Sequence, residues 1–434
     1  MLTVSSVARP LLLALAVLSL GACASIPYAR TYEPQGIAQP ADGSAERAAL
    51  NAEVYDAVVR YTEKLFYKPD FGGVPFVAEA RARRAEAVAQ PTSDGLHVEL
   101  TELLDLLDDD HTVTLSPLER ERYYELQRTG QTTGYGFTVT PRGDDRFVAT
   151  VVPGSAAEAA GVTPGWRVET VGGLSVLLAV PPVVGRTDTL VFLDDADQRH
   201  SLDLPGVTMP MRPRFVAERK DGNIAYIRFD DFDATRYNQF YDEMKTFADN
   251  PPAGLIIDLR TNGGGILTIA GQVMGWLFAE RQDYTVVKGR FIDTRYNIQA
   301  ASQPYLGPVV MLIGPGTGSA AELLSGVAQE KGRATVVGLR SRGAVTGTRP
   351  IELPDGGLLR VGTIVMTTPE GRNLEGVGVT PDIEVPDDWA ARRAGRDPTL
   401  EAGVAAIQAA IAQAATSTSS QAVAASAAHG SDLS

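Results

Sequence analysis

The stretch Gly254-Leu255-Ile256-Ile257-Asp258-Leu259-Arg260, followed by Thr261-Asn262-Gly263-Gly264-Gly265, restricts the folds open to this chain more than any other. Its apolar run is short and unbroken, so the strand it predicts is covered on both faces. Helices packed on a mostly parallel sheet provide such cover, and from about Arg212 to Val385 strand-like and helix-like segments alternate. A layered α/β domain is expected there. The glycine turn leads into a helix start, where backbone N–H groups are unsatisfied and face an incoming ligand. The turn lacks both the G-x-G-x-x-G fingerprint and a Gly-Lys-Ser/Thr ending, which speaks against a nucleotide.

With 434 residues the chain is too long for one ordinary core, so two or three domains are expected. The net charge of -14, with no basic tract to offset it, argues against nucleic acid as a partner. Residues 1–22 carry one basic residue, Arg9, and the apolar run Leu11 to Leu18, the layout of a signal peptide too short to span a bilayer. Cys23 is the sole cysteine, so no intramolecular disulfide is available. Residues 23–45, with Pro27, Pro34, Gly36, Pro40 and Gly43, read as a tether.

Helical spacing of Leu50, Val54, Val58, Tyr61 and Leu65, and again of Leu96, Leu100, Leu103, Leu104 and Leu107, predicts a helical region over 46–128. The second helix runs into Asp108-Asp109-Asp110-His111, where negative charge opposes the helix dipole. Residues 130–207 are β-rich. Asp397 and Pro398 open an amphipathic helix within 391–415 carrying Leu400, Val404, Ile407 and Ile411, and the Ser/Thr/Ala-rich tail 416–434 is expected to be disordered.

A second strand-to-helix junction is Val309-Val310-Met311-Leu312-Ile313 followed by Gly314-Pro315-Gly316-Thr317-Gly318-Ser319-Ala320-Ala321-Glu322. Ser319 there is a helix N-cap or a nucleophile, and the residues alone leave both readings open. The four histidines are His97 at a polar helix start, His111, His200 in a charged loop and His429 in the tail. His, Cys, Asp and Glu show no metal-ligand spacing, so no metal is expected.

Taken together, these motifs resemble peptidase family S41, the C-terminal processing or tail-specific serine proteases, over about residues 96–390. The 258–265 string is similar to the family's Asp-Leu-Arg-x-Asn-x-Gly-Gly motif and 314–322 to its nucleophile motif. The resemblance implies a ClpP/crotonase-like core over 212–390, Ser319 as nucleophile, and an oxyanion hole from the backbone amides of Gly264, Gly265 and Ala320. Residues 130–207 resemble a PDZ domain, with Gly134-Tyr135-Gly136-Phe137 as its carboxylate-binding loop. The best-known branch of the family uses a lysine base, and Ala344 stands in its place. A tricorn-like branch uses Ser, His and Glu. Asp110-His111-Thr112 and Asn373-Leu374-Glu375-Gly376-Val377-Gly378-Val379-Thr380-Pro381-Asp382 are similar to its segments, which implies His111 as base and Glu375 as orienting carboxylate.

The expected protein is a multidomain α/β and α+β serine endopeptidase with an N-terminal helical segment, acting on protein or peptide substrates without a cofactor. The Leu20-Gly21-Ala22-Cys23 string resembles a lipobox, implying a lipid anchor at Cys23 and an outer-membrane location facing the periplasm. Two rival readings are a non-catalytic peptide-binding scaffold and an esterase-like acyl hydrolase.

Overall fold

The structure is a computed structural model. It describes residues 37–109, 111–129, 131–142, 145–176, 182–210 and 214–413. The signal peptide, Cys23, Asp110 and the tail 416–434 lie outside the described residues.

The apolar run 254–257 forms the strand Gly254–Asp258, buried at every position. It lies inside a six-stranded sheet ordered Phe215–Lys220, Ile224–Phe229, Gly254–Asp258, Val309–Ile313, Thr335–Gly338 and Ile383–Glu384. Only the first pair is antiparallel. Successive side chains alternate between two cores. Ala225, Ile227, Phe229, Leu255, Ile257, Val309, Met311 and Ile313 pack with the helices Ala234–Thr246, Leu267–Gly275 and Ala320–Glu330. Ile224, Tyr226, Ile256, Val310, Leu312 and Val337 meet Ile407 of the helix 398–413. A Cβ at Gly254 would lie 2.2 Å from Ile407 Cγ2, so the helix sits directly on the strand start.

A second sheet orders Val113–Leu115, Leu358–Thr367, Gln282–Gly289 and Ile292–Ile298, with Gly347–Glu352 also pairing Leu358–Thr367. It carries a helical region of Ala45–Leu65, Phe76–Val88, Ser93–Asp105 and Pro117–Thr129, of which the first three helices pack their apolar faces on Leu353, Leu359 and Val361. The helix Ser93–Asp105 ends before the acidic run, so Asp108 and Asp109 fall in a turn beyond the helix and not in its last turn. His97, expected at a polar helix start, is buried and bonded to Asp355 at 2.9 Å.

Residues 131–210 build a separate β-rich module. Phe137–Arg142, Asp145–Val151, Arg167–Val171, Thr187–Leu193 and Arg199–Pro205 form its main sheet, around a core that includes Val148, Val168, Leu190 and Phe192. The ribbon Gln131–Gly134 with Val207–Pro210 forms its stem. His200 lies in a strand, not a loop, stacked on Trp166 with ring centroids 4.4 Å apart and bonded to Asp194.

Candidate active site

The buried strand Val309–Ile313 delivers the loop 314–318, which is stitched to the glycine loop after Gly254–Asp258. Thr317 Oγ1 donates to the Leu259 carbonyl at 2.8 Å, and the Gly318 N–H to the Asn262 carbonyl at 3.0 Å. Ser319 then opens the helix Ala320–Glu330 at φ 51° and ψ −120°. A non-glycine residue with this backbone costs about 1–3 kcal/mol, and persists only where surrounding bonds enforce it. Here the Ser319 N–H donates both to the Ala344 carbonyl at 2.7 Å and to the Glu322 carboxylate at 3.0 Å.

Gly264 lies against the serine. A Cβ added there would stand 2.6 Å from Ser319 Cβ and 3.2 Å from the Ala320 nitrogen, so only glycine lets the two loops touch. The Gly264 N–H, expected to face an oxyanion, donates instead to Asn262 Oδ1 at 2.9 Å. Among the described residues the amides of Gly265 and Ala320 have no acceptor. The Ala320 N–H adjoins Ser319 in the chain at the helix start, whereas Gly265 packs against Asp231 and Phe232. A free amide at a helix start can meet negative charge developing on a substrate oxygen.

Glu322 organises the next shell. Its carboxylate is fully buried and accepts from the amides of Ser319, Gly343 (2.6 Å) and Ala344 (2.8 Å) and from Ser341 Oγ (2.5 Å). Burial pushes its carboxyl up, while these donors pull the other way. Ala344, which stands where the resemblance has a lysine, is 2% exposed and closes against Ser319 through its backbone alone. The next residue, Val345, donates its N–H to Glu375 Oε2 at 2.7 Å. Glu375 is therefore bonded to the residue that follows Ala344, whose carbonyl holds the serine amide.

Its carboxylate meets the histidine segment. The ligand-type atoms of Asp109, His111 and Glu375 all lie within 4.8 Å of one another. Two sets of bonds hold the histidine turn. Thr112 donates its N–H to the Asp109 carbonyl at 3.1 Å and its Oγ1 to the Asp109 carboxylate, and that Oγ1 accepts the Gly362 N–H at 2.9 Å. The strand Val113–Leu115 then registers Val113 on Arg360 and Leu115 on Leu358. Burial pushes the Glu375 carboxyl up, the Val345 and Thr346 bonds oppose this, and the Asp109 charge raises it further. Asp109, His111 and Glu375 form a donor set that could hold a divalent cation.

Ser319, Gly264, Gly265, Ala320 and Glu375 are thus linked through the loops 259–265, 314–319 and 341–346, and His111 joins them through Glu375. The sequence gives Asp109 no role beside His111, because nothing distinguishes it from its acidic neighbours until the turn folds its carboxylate back onto Thr112. Gly134-Tyr135-Gly136-Phe137 belongs to the β-rich module and shares no hydrogen bond with these residues among the described ones. Tyr135 is buried there, its hydroxyl donating to Asp188 Oδ2 at 2.7 Å, and burial with the Asp188 bond pushes that hydroxyl up to about 12. At Gly136, φ is 88° and a Cβ would lie 2.6 Å from Ser155 Cβ, so this turn requires glycine.

A serine on a strained strand-to-helix turn, followed by an amide without an acceptor, is the arrangement that a nucleophilic acyl hydrolase uses. The family comparison is narrower. Residues 223–385 match the profile of Peptidase family S41. The chain is 28% identical over 312 residues to a carboxyl-terminal-processing protease of Picosynechococcus sp., covering 68% of this chain and 74% of that one. It is 24% identical over 313 residues to the carboxy-terminal processing protease CtpA of Bacillus subtilis, covering 69% and 66%. Among solved structures, a photosystem II D1 C-terminal processing protease superposes with a TM-score of 0.59 at 21% identity, over 80% of this chain and 98% of that one, which shows the shared fold. Residues 223–385 thus match peptidase family S41, and the comparisons support an S41 serine-type peptidase, similar to the carboxyl-terminal-processing proteases.

Proposed function

We propose that the chain is an endopeptidase of the cell envelope that uses Ser319, His111 and Glu375, with Asp109 as a second carboxylate on the histidine. The observation that carries this reading is the convergence of Asp109, His111 and Glu375 within 4.8 Å, tied through Val345 and Ala344 to the Ser319 amide. His111 takes the Ser319 hydroxyl proton, and the serine oxygen attacks the peptide carbonyl. The amides of Ala320 and Gly265 hold the resulting oxyanion, and His111 returns the proton to the leaving amine. Water then attacks the acyl-enzyme with His111 as base, which regenerates Ser319. The core carries a ClpP/crotonase-like arrangement in this reading. The β-rich module acts as a PDZ domain whose Gly134–Phe137 loop receives a substrate C-terminus, and an acyl anchor at Cys23 holds the protein at the outer membrane, facing the periplasm.

Turnover of an unfolded protein substrate, with binding of its C-terminal peptide measured alongside, tests the assignment. Ser319→Ala is expected to abolish cleavage and leave peptide binding within about twofold. Equal inertness of wild type and variant would favour a peptide-binding scaffold. Turnover of small esters alone would favour an acyl hydrolase acting on other substrates.

A further inference from the structure

The segment between the last strand, Ile383–Glu384, and the helix 398–413 touches two distant parts of the molecule. On one side it grips the β-rich module. Arg142 Nε donates to Asp387 Oδ2 at 2.8 Å. Trp389 stacks on Phe147 with ring centroids 6.1 Å apart and planes 19° from parallel. It also lies so close to Gly165 that a Cβ there would stand 2.8 Å from Trp389 Cγ. Arg393 Nη1 donates to the Pro164 carbonyl at 2.8 Å, and its Nη2 pairs with Asp195 at 2.5 Å.

On the other side the segment ends at Asp397, which caps the helix 398–413 through the Leu400 N–H at 3.2 Å. The same carboxylate takes two bonds from Arg260, Nη1 to Oδ1 and Nη2 to Oδ2, both at 2.8 Å. Arg260 also binds Asp258 through Nε at 3.0 Å and Nη2 at 2.6 Å. Burial would raise the Asp397 carboxyl, but the Arg260 bonds and charge outweigh it and hold it below the usual carboxylate range. A planar guanidinium divided between two carboxylates has little freedom to move independently of either.

Arg260 is also the residue from which the glycine loop departs. Its carbonyl lies 2.6 Å from where a Cβ of Gly316 would be, and its Cγ lies 3.8 Å from that of Gly314. It therefore packs under both the loop bearing Gly265 and the loop bearing Ser319.

We propose that Asp397 is a positioning residue for the amides of the glycine loop, acting through Arg260, and that the β-rich module biases it through Trp389 and Arg393. The inference rests on the peptidase reading only for its consequence in turnover. The mechanical coupling stands on the contacts alone. Docking of the module holds residues 387–397 in place, Asp397 then fixes the Arg260 fork, and the fork fixes the loops that present the Gly265 and Ala320 amides.

The test uses the full chain with Asp397→Asn, Asp397→Glu, Trp389→Ala and the Asp397→Asn/Trp389→Ala pair, and two readouts. Hydrogen exchange of the amides of residues 261–266 is expected to rise about tenfold in Asp397→Asn and in Trp389→Ala, with Asp397→Glu close to wild type. Peptide kcat is expected to fall about tenfold in both with KM within twofold, and the double variant is expected to be no worse than Asp397→Asn alone. Unchanged exchange at 261–266 in Trp389→Ala, or strictly additive effects in the pair, would overturn the coupling. Should Trp389→Ala fail to fold, Arg393→Gln removes the other anchor and faces the same criteria. A wild type inert toward every peptide would sink the peptidase reading, while the exchange readout would still decide the coupling.

Discussion

Replacing Glu322 by Gln changes one oxygen to an amide nitrogen and almost nothing in volume, yet a large loss is expected. Oε1 accepts from Ser341 Oγ and the Gly343 N–H, and Oε2 from the amides of Ser319 and Ala344. Whichever way a glutamine side chain sits, its NH2 faces at least one backbone N–H. Placed at the Oε1 site it can still donate to Ser341 Oγ but leaves the Gly343 N–H without an acceptor. Placed at Oε2 it abandons Ala344, while Ser319 retains the Ala344 carbonyl. One orphaned buried N–H costs about 1–3 kcal/mol, and the bonds that survive lose their charge assistance, so a total of about 2–4 kcal/mol is expected. For a domain of this size that corresponds to a fall in Tm of roughly 5–15 °C. Thermal unfolding gives the shift, and amide exchange at Gly343 and Ala344 locates it. Because Ala344 and Val345 position Ser319 and Glu375, peptide turnover should fall with it. An Glu322→Gln protein within about 0.5 kcal/mol of wild type would refute the view that this carboxylate holds the 341–345 loop.

Three further outcomes are expected. Ser319→Gly should unfold at a higher temperature than Ser319→Ala, by about 1–2 kcal/mol of stability, because glycine relieves the φ of 51°; equal stabilities would show that the turn is unstrained. Burial alone would raise Asp355, but the His97 bond and charge, the Gly357 amide and the Ser93 hydroxyl hold it below the usual range. Its contribution is therefore present above the unfolded value of about 4 and lost as pH falls through the lower folded value, so Asp355→Asn should cost about 3 kcal/mol at neutral pH and flatten the acid limb of the stability profile. Gly362→Ala would put a Cβ 2.5 Å from Asp109 Oδ2 and 2.8 Å from Thr346 Cγ2, so turnover should drop while the helical region stays folded by circular dichroism; unchanged turnover would place the Asp109 turn outside the chemistry.

Features carried by local sequence were legible in advance. The unbroken run Leu255-Ile256-Ile257 told of a strand covered on both sides, and the glycines after it told of a turn where another loop approaches closely. Asp397 before Pro398 marked a helix start. Contacts between distant segments were hidden. Nothing local to His97 reports that Asp355 completes its burial, and nothing local to Arg260 reports that Asp397 shares its guanidinium. The Gly264 amide was assigned to the oxyanion hole because the motif is read as a string of glycines, whereas Asn262, two residues earlier, folds its side chain onto that N–H. The acidic run broke the helix-dipole rule only on the assumption that the helix continued into it. The chain leaves the helix first, and at Asp108 takes a positive φ of 49°.

The central claim is that Ser319 is a nucleophile served by His111. It is tested most directly by treating the folded protein with a fluorophosphonate probe at neutral to mildly alkaline pH and locating the label by peptide mass spectrometry. Covalent labelling at Ser319 in wild type, lost in His111→Ala with the fold intact, is the result expected. Labelling that persists undiminished in His111→Ala, or its absence from folded wild type, would contradict the account.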